Sequence, residues 1–142
     1  MNIKIKKLLK NTITPTYSKQ GDAGMDLTAI SKNVINTDTH SYIEYGTGLA
    51  FEIPKGYVGL IFPRSSISNT GMIQTNSVSV IDSGYRGEVT CRFKWIPGTT
   101  DYNVGDRIGQ LIIIPYPQVE FEEVEELSDT ERGSSGYGSS GK

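Results

Sequence analysis

The residues able to do chemistry stand in five short clusters, each in a glycine or turn context. They are Ala23-Gly24-Met25-Asp26-Leu27, Pro63-Arg64-Ser65-Ser66, the run from Asn76 to Val89, Gly105-Asp106-Arg107-Ile108-Gly109-Gln110-Leu111, and the tail RGSSGYGSSGK from Arg132 to Lys142. The tail has the plainest inventory. Its glycines let backbone N–H groups approach a ligand closely, its serines add hydroxyl donors, Arg132 adds a forked cation, and Tyr137 is its one aromatic ring. An arm that wraps a phosphorylated, ring-bearing ligand needs this set, whereas a bare Gly/Ser linker needs neither the arginine nor the tyrosine. The other clusters say less one at a time. An Asp beside Gly suits a turn, Arg-Ser-Ser a surface loop, and a Gln within a strand a water-facing position.

Two motifs in the tail are decoys. Gly136 to Gly141 spells GYGSSG, a formal match to G-x-G-x-x-G, and Gly136 to Lys142 fits G-x-x-x-x-G-K. Both motifs hand a phosphate to the N-terminus of a following helix, and no helix is expected after Lys142. Cys91 and His40 are each the only residue of their type, which removes the usual Cys/His zinc sets and any intrachain disulfide. A nucleophilic pair would have to join these two residues. Cys91 lies inside the strand-like run Val89-Thr90-Cys91-Arg92-Phe93 and reads better as a small buried hydrophobe.

A net charge of only −2 argues against a broad basic face for nucleic acid, so an anionic ligand must be small. The longest aliphatic run, Leu111 to Ile114, stops at Pro115, far short of the roughly 20 apolar residues that cross a bilayer, so no membrane span is expected. The N-terminal MNIKIKKLLKN carries no apolar stretch or small-residue cleavage site of a signal peptide, and a cytoplasmic location is expected.

The elements that must position these clusters read as strands. Segments rich in Val, Ile, Tyr and Phe recur between turn residues at Ile3 to Leu9, Tyr42 to Ile53, Tyr57 to Phe62, Glu88 to Trp95, Arg107 to Ile114 and Val119 to Val124. Pro54-Lys55-Gly56, Asp82-Ser83-Gly84 and Pro97-Gly98 supply the turns. One helical turn near Ser66 to Asn69 is the only helix expected. The glutamates between Glu120 and Glu126 suit a solvated edge strand whose charge discourages aggregation. The pattern implies one all-β domain, closed or double-layered.

In their order and spacing the five clusters resemble the five motifs of the homotrimeric dUTPase family, from Ala23 to Gly141. The resemblance implies a distorted jelly-roll-like β-barrel or sandwich spanning 1–126 and a flexible C-terminal arm over 127–142. It implies a homotrimer with shared active sites, dUTP as substrate and Mg²⁺ as cofactor. Asp26 resembles the acid that holds waters of the triphosphate-bound Mg²⁺. Arg64, Ser65 and Ser66 resemble the second motif, whose serines donate to the phosphate chain while the arginine braces the site. In NSVSVIDSGYRGEV, Asn76 and hairpin backbone groups would read the base, Asp82 would activate water, and Tyr85 would pack under the deoxyribose. Gln110 matches the phosphate-contacting glutamine of the fourth motif. In the fifth, Arg132 would meet the γ-phosphate, Tyr137 would stack over uracil, and Ser139 and Ser140 would donate to phosphate oxygens.

Three positions depart from the commoner pattern: Ser79 and Gly109, where Gly and Ala are frequent, and Tyr137, where Phe is frequent. The implied reaction is hydrolysis of dUTP to dUMP and pyrophosphate by water attacking the α-phosphorus. Two other readings stand beside it. One is a dCTP deaminase of the same fold, for which Glu88 is the residue near the hairpin to suspect, and the other is a non-catalytic nucleotide-binding regulatory module.

Overall fold

The computed structural model describes residues 1–136. Ten strands and one short 3₁₀ helix, with no α-helix, make up the described residues. The strands are β1 (Lys4–Lys7), β2 (Met25–Thr28), β3 (Ser31–Asn36), β4 (Ser41–Gly46), β5 (Leu49–Glu52), β6 (Tyr57–Phe62), β7 (Met72–Gln74), β8 (Ser79–Ile81), β9 (Thr90–Trp95) and β10 (Arg107–Pro115). The 3₁₀ helix Ser65–Asn69 lies where the one helical turn is expected. All pairings are antiparallel. One sheet has the order β2-β10-β6-β8, a second β3-β4-β9-β7, and β1 pairs with β5 alone.

Alternation explains why these segments are strands. Ile43 and Tyr45 of β4 and Cys91 and Phe93 of β9 point inward at every second residue, and the register sets Ile43 opposite Phe93 and Tyr45 opposite Cys91. From the other sheet Leu27, Ile61, Ile108 and Leu111 complete the same apolar cluster, so the two sheets share one core as a sandwich. Tyr45, Phe93 and Tyr102 meet edge to face, with ring centroids 5.7 to 6.2 Å apart. The Tyr45 hydroxyl, buried there, donates to Tyr102 O at 2.8 Å.

Several expected boundaries need correction. The strand expected over Tyr42 to Ile53 is two strands, because Gly48 takes φ +67° and the chain leaves the β4 sheet there to pair with β1. Polar β3 is recruited by pairing with β4 from Ser31↔Gly46 to Asn36↔Ser41, which local residue types do not reveal. Val119 to Val124 forms no strand: the chain leaves β10 at Pro115, Tyr116 N–H donates to Gly56 O at 3.0 Å, and no described strand pairs with residues 117–136. Its glutamates are exposed as expected, but on irregular chain rather than on an edge strand.

Candidate active site

β10 is the element that organises the first group of site residues. A bulge between Arg107 and Gly109 brings Gln110 into register with Asp26 of β2 on one side and Phe62 of β6 on the other. Arg64 lies two residues beyond Phe62, so an acid from β2, an amide from β10 and a cation from just past the end of β6 converge. Arg64 Nε donates to Asp26 Oδ1 at 2.7 Å, and Arg107 Nη1 donates to Asp26 Oδ2 at 3.2 Å. Ser18 Oγ donates to the same Oδ2 at 3.2 Å. Gln110 Nε2 donates to Pro63 O at 3.0 Å, which fixes its carboxamide over the cleft floor. Gly24 permits this packing, since a Cβ there would stand 2.5 Å from Gln110 Oε1. Ser18, Gly24, Asp26, Arg64 and Gln110, with Lys19, Asp22 and Ser65, line a cleft of about 420 Å³.

That cleft suits an anion. Arg64 and Lys19 bring cationic donors, and the Asp26 carboxylate, clasped by the Arg64 and Arg107 guanidiniums, holds Arg64 in place. Ser66 Oγ lies 3.4 Å from Arg64 Nη1 and from the Tyr102 hydroxyl, which ties the 3₁₀ helix to the same cluster. Among the described residues no three His, Cys, Asp or Glu side chains group as a metal cage. Two carboxylates, Asp22 and Asp26, line the cleft, too few for an all-protein cage but suited to a magnesium ion that keeps its waters and is held chiefly by substrate phosphates.

The second group sits on the turn-rich hairpin around β8. Asn76, Ser79, Asp82, Tyr85 and Glu88 line a cleft of about 390 Å³. Asn76 Nδ2 donates to Ser79 Oγ at 3.0 Å, and the Tyr85 hydroxyl donates to Glu88 O at 3.0 Å, leaving its ring half in solvent. The turn Asp82-Ser83-Gly84 is closed by Tyr85 N donating to Asp82 O at 3.1 Å, and it leaves the Asp82 side chain exposed at the cleft mouth. Glu88 is committed to structure: its Oε1 accepts the Gly48 N–H at 2.7 Å, which weakens its claim to be a free base.

The two clefts share no lining residue. Within one chain, then, Asp26, Arg64, Ser65 and Gln110 are brought together, and so are Asn76, Asp82 and Tyr85, but the two sets are not. Arg132 is exposed on a turn, its Nε donating to Ser135 O at 3.1 Å. Tyr137, Ser139 and Ser140 lie outside the described residues. Sequence reasoning gave no role to Arg107, Ser18 or Lys19; only the β2–β10 register reveals Arg107 at Asp26.

The pairing of Cys91 with His40 is excluded. Cys91 is fully buried in the core, and its thiol is pushed up to about 12 by burial. His40 is exposed at the β3–β4 turn, within hydrogen-bond reach of Thr37 and Thr39.

Comparison with known proteins agrees with this geometry. The dUTPase family model matches residues 10–141. The deoxyuridine 5'-triphosphate nucleotidohydrolase of Corynebacterium glutamicum is 43% identical over 143 residues, covering 99% of this chain and 95% of that protein. The enzyme of the same name from Nautilia profundicola is 42% identical over 144 residues, covering both chains completely. Among solved structures, the dUTPase of Staphylococcus bacteriophage 80alpha with dUPNHPP superposes with a TM-score of 0.84 at 30% identity, covering 99% of each chain. A mutant dUTPase from phage phi11 of S. aureus, described for its coordination of a structural Mg(II) ion, reaches a TM-score of 0.72 at 25% identity over 89% of this chain and 98% of that one. No helix among the described residues is long and apolar enough to cross a membrane. With the family model spanning nearly the whole chain and relatives above 40% identity along its length, the chain belongs to the dUTPase family.

Proposed function

We propose that this chain is a dUTP diphosphatase that hydrolyses dUTP to dUMP and pyrophosphate, and that its residues divide the work as the two clefts divide them. The observation that carries the assignment of roles is the β10 register, which sets Gln110 beside Asp26 and leaves the Arg64 guanidinium bridging from that acid toward Ser66. A triphosphate carries about four negative charges, and such preorganised donors are what its transition state needs. Arg64, Ser65, Ser66 and Gln110 bind the phosphate chain, and Asn76 reads the base. Tyr85 packs against the sugar. Asp82 orients a water and accepts its proton as the oxygen attacks the α-phosphorus. The bond from the α-phosphorus to the bridging oxygen breaks, and pyrophosphate leaves.

Asp26 is the residue that would hold a hydrated Mg²⁺ near the phosphates. Bound there, the ion would supply charge neutralisation for the leaving group. Asp26 also keeps Arg64 aimed, a role it performs through its own hydrogen bond.

Because the phosphate cleft and the hairpin cleft have no residue in common, we further propose a homotrimer in which neighbouring chains bring them together. Exposed apolar side chains beyond β10 support association: Phe121 is 97% and Leu127 87% exposed within one chain. Residues 1–126 form the β domain of this proposal, and 127–142 an arm whose Arg132, Tyr137, Ser139 and Ser140 complete the site. Release of pyrophosphate measured across dUTP, dTTP, dCTP and UTP tests the activity. Turnover of dUTP far above the others is the expected result, and ammonia released from dCTP would overturn it in favour of the deaminase. Light scattering should give three times the chain mass of 15.6 kDa, and a monomeric mass would remove the shared site.

A further inference from the structure

Behind the hairpin cleft, three polar side chains form a relay that ends on a backbone carbonyl. Gln74, on β7, is only 3% exposed. Its Nε2 donates to Ile61 O of β6 at 3.2 Å and lies 3.4 Å from both Asn76 Oδ1 and Ser79 Oγ. Asn76 Nδ2 in turn donates to Ser79 Oγ at 3.0 Å. Among the described residues no group pairs with the buried Gln74 Oε1.

The relay has a direction. Ile61 O can only accept, so it holds the Gln74 amide with its nitrogen toward the cleft. That nitrogen faces Asn76 Oδ1. Were the Asn76 amide turned over, two NH₂ groups would confront each other with no acceptor between them. The Ser79 hydroxyl cannot make this choice alone, because it both donates and accepts. Asn76 keeps one N–H free at the cleft, while its Oδ1 lies 3.4 Å from both Gln74 Nε2 and Ser79 Oγ.

The chemistry of the base makes that orientation matter. Uracil offers a donor at N3 beside an acceptor at O4, whereas cytosine offers an acceptor at N3 beside an amino donor. A carboxamide pairs with both only if it can turn over. We propose that Gln74, with Ser79, is a positioning residue that locks the Asn76 carboxamide in the orientation matched to uracil and opposed to cytosine. The proposal rests on the reading of Asn76 as the base-contacting group. A site with fixed polarity leaves its buried groups unpaired against the wrong base, which is where large discrimination comes from.

The test compares wild type, Gln74→Met, Ser79→Ala and the double variant. For each, kcat/KM is measured for dUTP and dCTP, and binding of dUMP and dCMP is measured by calorimetry. Gln74→Met should lower the dUTP to dCTP preference by roughly tenfold, the order of one hydrogen bond, chiefly through KM. Ser79→Ala should move it the same way by less, and the double variant should lose no more than Gln74→Met, because both act on one group. An unchanged preference in Gln74→Met, or an equal loss for both nucleotides, would overturn the proposal. Should Gln74→Met fail to fold, an unchanged preference in Ser79→Ala overturns it instead. If wild type hydrolyses neither nucleotide, the diphosphatase reading fails, while the ratio of dUMP to dCMP binding still decides the lock.

Discussion

Asp26 lies on β2 and Arg64 at the start of the 3₁₀ helix, 38 residues later, yet the guanidinium Nε sits 2.7 Å from the carboxylate while Nη1 reaches toward Ser66 Oγ at 3.4 Å. The arginine is therefore used as a fork. A lysine has one nitrogen, which cannot stand at the Nε and Nη1 positions at once. Arg64→Lys should keep the fold and lower kcat for dUTP by roughly tenfold or more, the scale of a lost charge-assisted hydrogen bond. Steady-state kinetics beside a thermal melt check this, and wild-type turnover in the variant would show that a single positive charge suffices.

Asp82 stands at the open mouth of the hairpin cleft, on a turn closed by its own carbonyl rather than by its side chain. Asp82→Asn leaves that turn intact and removes only the proton acceptor. Turnover should fall by roughly 10² or more with nucleotide binding retained. Calorimetric binding of dUMP alongside single-turnover hydrolysis separates the two effects; unaltered hydrolysis would take Asp82 out of the mechanism.

Tyr85 is anchored by its hydroxyl on Glu88 O at 3.0 Å, so its ring is held rather than free to swing aside. A ring fixed against the sugar excludes a ribose 2′-hydroxyl by occupying its space. Tyr85→Ala should accordingly raise the activity on UTP relative to dUTP, measured as a ratio of kcat/KM values. A constant ratio would place the ribose filter elsewhere.

What the residues disclosed, and what they did not, follows from the kind of information each position carries. β6 was legible at both ends, because Tyr57 to Phe62 is a run of strand formers between the turn at Pro54-Lys55-Gly56 and Pro63. β3 was not, since Ser31–Asn36 becomes a strand only through the edge that β4 offers it. Val119 to Val124 carries the same alternation as a true strand but finds no edge among the described residues, and pairing is a property of two segments. Among the site residues, Asp26, Arg64 and Gln110 stood out by their motif contexts. Arg107 and Gln74 did not, because their roles depend on a bulge register and on a carbonyl contributed by another strand.

Cys91 is fully buried between the sheets, opposite Tyr45 in the strand register. Burial raises its thiol from 9.0 to about 12, and burial also raises the Tyr45 phenol. The sign of the consequence is fixed by linkage. Above the unfolded thiol value near 9 the unfolded chain releases a proton that the folded chain keeps, so stability falls as pH rises from there toward 12. The slope is about 1.4 kcal/mol per pH unit for each such group. Denaturant midpoints at a series of alkaline pH values should decline accordingly, and a thiol reagent at pH 8 should label Cys91 only on unfolding. Rapid labelling of the native protein would contradict the burial.

Beyond β10 the described chain from Tyr116 to Gly136 contributes nothing to the core, and Arg132 there donates to Ser135 O within its own turn. Deleting residues 132–142 removes Arg132, Tyr137, Ser139 and Ser140 together while sparing every core side chain. The folded domain should therefore melt within a few degrees of the intact chain, and its oligomeric mass should be unchanged. Turnover should behave differently. A γ-phosphate left without Arg132 loses charge-assisted donors worth roughly 1.5 to 3 kcal/mol each, and a base left without the tyrosine ring loses its cover from water. A fall in kcat/KM for dUTP of 10² or more is the expected order when such contacts are removed together. Binding of dUMP, which has no γ-phosphate, should suffer much less than binding of a non-hydrolysable triphosphate analogue. That asymmetry is the decisive measurement: equal losses for the two ligands would mean that the tail contacts the nucleoside alone, and no loss for either would remove it from the site.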